Sequence, residues 1–359
     1  MAFRNKKGRR KAAFLLDDGI CSYRSAPRLP TVLAARCPDF RGKYMDALHG
    51  EGGPNREIAG FWRRLGALAI DLILLGIVGW ILGALLFDTF ARMGAYAKLI
   101  GFAIALAYFG ICNSRIGGGQ TLGKRWLGVR VVDAHDQLLS LPRSLLRYAV
   151  LGIPFFANGL PVDPTLAMST PLGYLLALVV FGGMFAIIYL YLFNRRTRQS
   201  LHDLAVGSYV ERFDRAAQPV PFPIMWRGHV VVVALLAVIA LSAPAVASRF
   251  AQTQTFAGIL PLYQTLSTQP HVMTAQVVRG WSSFNGGKTT HSLQSSLRLD
   301  APLTEDDAMA KRIAQLMAKA DPDIANEDAV VVTLVYGYDM GIASGWKTHG
   351  YSFKPGELQ

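Results

Sequence analysis

"LGALAIDLILLGIVGWILGALLF", residues 65–87, carries a single charge, Asp71, in a run that is otherwise apolar and punctuated by glycine. A helix needs roughly 20 mostly apolar residues to cross a hydrocarbon core about 30 Å thick, and this stretch has that length. Residues 98–114, 171–193 and 230–247 are further apolar runs, and 145–162 is a weaker one, interrupted by Arg147, Pro154 and Asn158. The whole chain of 359 residues is 52% apolar and 17% charged, too little polar surface for an ordinary soluble domain.

Charge placement sets the expected orientation, because short loops rich in Lys and Arg stay in the cytoplasm. If 145–162 crosses, the N-terminus, 115–144 and 194–227 all lie inside, and the basic residues of the outer loops reduce to Arg92 and Lys98. If it does not cross, Arg195, Arg196 and Arg198 face outward. The expected fold is therefore an α-helical integral membrane protein with five transmembrane helices in a bacterial inner membrane. Its N-terminus is cytoplasmic and its C-terminal domain periplasmic or extracellular.

The formal charge of +13 lies in the first 247 residues, since the rest holds nine Lys/Arg against ten Asp/Glu. Juxtamembrane basic clusters of this kind predict anionic lipid head groups as partners and no nucleic acid. Residues 1–58 are polar, basic and without periodicity, so a disordered cytoplasmic tail is expected, with Met45 an alternative start. "AAFLL" is too short for a signal core, so no cleaved leader is expected. Residues 213–229 are expected to form a cytoplasmic linker to the fifth helix. Cys21, Cys37 and Cys112 all precede the outer domain, so no disulfide staples it, and the seven scattered histidines suggest no metal site.

"GGGQTLGKRW", residues 117–126, is one hydroxyl short of a phosphate-binding loop, because Arg125 follows Lys124 where Ser or Thr would hold magnesium. It follows an apolar helix and not a strand, so no NTPase, no enzyme and no cofactor are expected. Three stretches, "GFWRRLGALAID" at 60–71, "GGGQTLGKRWLGVRVVD" at 117–133 and "RQSLHDLAVGSYV" at 198–210, resemble the RDD family. The resemblance maps that family's arginine and two aspartates onto Arg64, Asp71 and Asp203, covers 59–212 as four helices, and departs at Ser208, where the family usually has Thr. It implies a transporter, with Asp71 and Asp203 exchanging protons and homo-oligomers completing the pathway.

The residues have a reading of their own. Arg64 and Asp71 are seven apart and share one helix face, about 10 Å along the axis. Arg64 can snorkel, but Asp71 lies too deep and needs a partner or a proton. It is either a lock between helices, with Arg147 as the expected cation, or an active ion site. Asp203, beside His202, is either a gate and proton relay or a cap paired with Arg195, Arg196 or Arg198. Lys124 and Arg125 are either head-group ligands or ordinary inside charges. Gly79 and Gly83 have the spacing of close helix packing.

Residues 248–359 predict a small α+β domain of order ββαββ. Its strands are expected at "HVMTAQVVRGW", "THSLQSSLRL", "AVVVTLVYGYD" and "GWKTHGYSF", with an "NGG" turn at 285–287 and a helix capped by Thr304. It contains no recognisable catalytic spacing, so a ligand-sensing or partner-docking module is expected. The alternative to transport is then a non-transporting adaptor that presents this domain outside the membrane.

Overall fold

A computed structural model describes residues 2–4, 10–16, 19–24, 58–213, 223–253, 258–282, 290–321 and 324–358. The chain divides into two units, 1–55 and 56–359. In the first, where no regular structure was expected, β1 (Ala2–Arg4), β2 (Arg10–Leu16) and β3 (Gly19–Arg24) pair antiparallel. Leu16 lies opposite Gly19 and Lys11 opposite Arg24, a tight local register that a polar composition does not forbid.

The second unit begins with α1 (Phe61–Leu85), which leads through Leu86 into α2 (Phe87–Met93), a 3₁₀ turn at Gly94–Tyr96 and α3 (Ala97–Cys112). The loop expected between the first two apolar runs is thus helical. Then follow the one-turn α4 (Leu122–Trp126), β4 (Val129–Asp133), α5 (Leu141–Ala157), α6 (Pro164–Ser169), α7 (Pro171–Phe193, with a π turn at Leu178–Gly182), α8 (Leu201–Val206) and β5 (Ser208–Arg212). Among the described residues, four helices are long and apolar enough to cross a membrane: Phe61–Leu85, Phe87–Cys112, Pro171–Phe193 and α9 (Gly228–Ala251). The weaker run falls short because α5 has only 17 residues and carries Arg143 and Arg147.

α1 is ordered inside out relative to a helix of a soluble protein. Leu72, Ile73, Ile77 and Trp80 are exposed, whereas Arg64, Ala67, Asp71, Leu75, Gly79 and Gly83 are buried in one stripe with steps of three and four residues. α5 packs on α3: its Tyr148 ring stacks on Phe109 at 4.7 Å and its Leu145 packs over Gly110, while Leu146, Ile153 and Phe155 on α5 are exposed.

The C-terminal region folds in the expected ββαββ order. β6 (Val272–Ser282), β7 (Thr290–Leu299), β8 (Ala329–Asp339) and β9 (Ser344–Phe353) form one sheet in that sequence, with only β7 and β8 parallel and joined through α11 (Asp307–Ala320). A parallel pair needs such a crossover. α10 (Ile259–Ser267), not expected from the sequence, adds Leu262 and Leu266 to a core with Leu293, Ile313, Met317 and Val332. Asp306, and not Thr304, caps α11, accepting from the Met309 N–H at 2.8 Å. The expected turn at 285–287 lies outside the described residues.

Candidate functional site

At the Phe61 end of the stripe, the three motif stretches meet. β4 and β5 form an antiparallel ribbon, Val131 opposite Val210, and the chain just before α1 joins its edge through Ile58↔Glu211 and an Ala59 N–H to Val210 carbonyl bond of 2.8 Å. The ribbon holds α8 beneath the helix ends. Ser200 and Asp203 form a capping box on α8, which Gly207 closes in the left-handed conformation at φ 62°.

Asp203 is the centre of this end. It is fully buried and accepts from Arg64 at 2.8 Å, from the Arg147 guanidinium at 2.6 and 3.0 Å, from the Ser208 hydroxyl at 3.0 Å and from the Ser200 N–H at 3.3 Å. Burial alone would raise this carboxyl, but Arg147 and Arg64 outweigh it and hold it well below the usual carboxylate range. His202, beside it at 3.5 Å, is buried with its Nδ1 unpartnered, and burial pushes its pKa down to about 3. It is a neutral ring over a wide pH range. The cations expected for Asp203, Arg195, Arg196 and Arg198, do not supply its ion pairs; Arg198 instead accepts from Arg64 through its backbone carbonyl.

Arg147 therefore does not partner Asp71. Asp71 is gripped by neutral donors: the Thr121 hydroxyl at 2.5 Å, the Tyr108 hydroxyl at 2.7 Å and the Gly123 N–H at 2.9 Å. Thr121 is also the N-cap of α4, accepting from the Lys124 N–H at 3.3 Å. A side chain at Gly123 would collide with the Ala67 carbonyl, so the small pair Ala67 and Gly123 is what lets α4 reach the carboxylate. The loop that reads almost as a phosphate cradle holds a carboxylate of its own chain, through the kind of N–H and hydroxyl a phosphate would use. Gly118 and Gly119, at φ 70° and 74°, make the preceding turn.

Lys124 turns inward, its ammonium on the Asn113 side-chain oxygen, which is not the orientation of a head-group ligand. Burial, then the charge of Arg147, pushes its pKa down to about 7, against Asp71 and Asp203, which pull it up. Arg125 is exposed and donates to the Gly117 carbonyl at 3.3 Å. No group of His, Cys, Asp and Glu among the described residues is arranged to hold a metal. The ligands of Asp71 were missed from sequence because only their burial gives Thr121 and Tyr108 meaning; Ser200 was missed too, although its S-x-x-D spacing to Asp203 could have shown the capping box behind the expected cap.

Residues 58–207 match the RDD family. The chain thus carries an RDD-type membrane segment, bounded by the edge bridge at Ile58 and the left-handed glycine at Gly207. It is also similar to the uncharacterized protein YckC of Bacillus subtilis (strain 168), 25% identical over 152 residues, which are 42% of this chain and 83% of that protein. In this RDD segment Arg64 and Asp203 are direct partners, while Asp71 belongs to the glycine loop; Ser208 keeps a working hydroxyl at the one departure. α9 and the ββαββ domain lie beyond the match.

At the Leu85 end the stripe meets a different partner. The tip of the β8–β9 hairpin, Asp339–Ala343, is seated among α1, α3 and α5. Its Ile342 and Ala343 contact Gly79, where a Cβ would lie 2.9 and 2.8 Å from them; Tyr338 fills the notch at Gly83, and the Met340 carbonyl fills that at Gly101. Tyr338 and Met340 are 2% and 0% exposed, packed with Phe90 and Ala97. Tyr336 donates to Asp88 at 2.9 Å, and Lys98 pairs with Asp339 at 3.3 Å. The GxxxG spacing thus receives a β-hairpin and not a helix, and the aromatic residues at 336 and 338 are its seat.

Proposed function

We propose that this protein is a non-enzymatic membrane adaptor: the RDD-type segment is a locked base, and the ββαββ domain is carried on its outer end. The observation that carries the reading is the saturation of both acidic motif residues. Asp203 has two guanidiniums and two further donors, and Asp71 has three neutral donors, so neither is left with an open coordination side for a moving ion.

Five crossings fit this arrangement. α5 reaches Asp203 through Arg147, nearly two turns from its start, and its last turn sets Phe156 against Gly341 of the hairpin, so it contacts both ends of the assembly although it is too short and too polar to stand in lipid alone. Arg147 faces protein, and the partly exposed Arg143 pairs with Asp133 at 3.2 Å. With five crossings, the Arg-rich loops at 115–143 and 195–212 lie in the cytoplasm and the C-terminal domain on the opposite side of an inner membrane.

The test is cation-dependent collapse of an imposed pH gradient in everted vesicles, wild type beside Asp71→Asn, with sodium, lithium and potassium tested separately. The adaptor reading expects no flux from well-inserted protein. Flux that disappears in an equally abundant mutant overturns it in favour of proton-coupled transport. One observation favours that second reading: Lys124, on Asn113 and under the influence of both Asp71 and Asp203, has its pKa pushed down by burial to about 7.

A further inference from the structure

A cavity of about 350 Å³ opens between the start of α1 and the end of α7, within the size range of about 300–1,000 Å³ typical of small-ligand sites. Its walls are of two kinds. Arg64, Arg195 and Arg198 contribute cationic groups, and Phe61, Tyr191 and Leu192 contribute apolar surface. Phe61 and Tyr191 meet at 5.1 Å, and the Arg64 guanidinium lies 5.3 Å over the Tyr191 ring, so these walls are fixed by packing.

The charges in it are unequal. Arg64 is already neutralised by Asp203 at 2.8 Å. Arg198 donates to the Ala59 carbonyl at 3.2 Å, and neither it nor the exposed Arg195 has an acidic partner among the described residues. Two guanidiniums without a counter-ion call for an anion that accepts several hydrogen bonds.

The position says which anion. The cavity lies where two membrane-length helices end; Leu192 in its wall is 47% exposed, and next to its lining residues in the chain Trp62 is 78% exposed and Phe193 59%. Exposed tryptophan at a helix end belongs at the head-group level of a bilayer. A soluble phosphate gains nothing from this exposed apolar surface at the helix ends, whereas the acyl chains of a phospholipid would lie against it. We infer that the α1–α7 cavity binds the phosphate of an anionic phospholipid, with Arg195 and Arg198 as its cationic ligands. This goes beyond the adaptor reading and does not depend on it.

The test uses the full chain in a neutral detergent, where no charged membrane surface attracts basic residues in general. Lipid retained by the protein is measured by native mass spectrometry with dioleoylphosphatidylglycerol, with dioleoylphosphatidylcholine, and with the first lipid in competition with millimolar inorganic phosphate. Arg195→Gln is set beside Arg196→Gln, the adjacent exposed arginine that does not line the cavity. Both are surface positions, and an unchanged melting temperature confirms that each variant folds.

The expected result is about tenfold preference for the anionic lipid, lost about tenfold in Arg195→Gln and kept within about twofold in Arg196→Gln, the change expected for one charge-assisted hydrogen bond. Arg195→Lys should restore part of the binding. Equal loss in the two glutamine variants, equal retention of the two lipids, or displacement of the lipid by inorganic phosphate would each overturn the assignment, the last by moving it to a soluble anion.

Discussion

The two halves of the stripe on α1 solve opposite problems. From Arg64 to Asp71 the helix buries charge and is met by side chains that neutralise or hydrogen-bond it; from Leu75 to Gly83 it buries absence, and is met by backbone and ring atoms that fill the space left by missing side chains. The first half takes its partners from within the RDD-type segment, the second from a hairpin more than 250 residues downstream in the case of Gly83 and Tyr338. Polar complementarity announces itself in residue type, because a buried ion needs a counter-ion. Steric complementarity does not, since a glycine accepts a helix, a strand or a ring equally well.

The sharpest way to break the first half is Asp203→Ala, which leaves Arg64 and Arg147 buried together without an anion. A loss on the order of 3–5 kcal/mol is expected, enough to prevent a folded protein from being recovered in detergent, as read by size-exclusion profile. A well-folded variant would mean that the two guanidiniums reach water.

The second half breaks at Gly83. Gly83→Val places a side chain where the Tyr338 hydroxyl now sits and should cost about 1–3 kcal/mol, concentrated at the hairpin and not at the ion cluster. Limited proteolysis should then cut the C-terminal domain while the helices remain protected. Gly76→Ala is the control, because its new Cβ would stand 3.6 Å from the Ile342 carbonyl, an ordinary contact, and should change little. Equal sensitivity of the two variants would separate the notch from the docking.

pH distinguishes the halves more gently. The folded pKa of Lys124, about 7, lies below its unfolded value of about 10.4, so between these values the unfolded chain binds the extra proton and stability rises with pH. Lys124→Met should flatten that rise, measured as the melting temperature between pH 7 and pH 10 against wild type. The smallest effect is expected at the hairpin's ion pair: Lys98→Gln should shift stability by no more than about 1 kcal/mol, because Asp339 is partly exposed and the pair is screened.

Much of the fold was legible in the sequence for the same reason that the first half of the stripe was. Residues 171–193 are the helix expected from their apolar run, and the four strands and one helix of the C-terminal domain follow alternation and periodicity. Asp71 was recognisable as a buried ion, but Arg64, expected to snorkel, turns out buried on Asp203, and neither pairing was legible. Arg147 was assigned to Asp71 because both are intramembrane charges, yet periodicity fixes only which face a residue occupies, not which neighbour that face meets. Thr121, Tyr108 and Ser208 carry nothing in their type that marks them as ligands. α10 was missed because nine residues of mild amphipathicity after a long apolar helix look like its continuation.

The hairpin also orders events in time. α1 and α3 are made early, with their notches at Gly79, Gly83 and Gly101 unfilled, while Tyr338, Met340 and Ile342 leave the ribosome only well over 200 residues later. Until then the half-assembled bundle carries an unfilled groove along two of its helices. Completion of the membrane part is thus reported by the arrival of the C-terminal domain, and a chain that stops short of residue 336 keeps the groove open, a state that a membrane protease can distinguish from the finished protein.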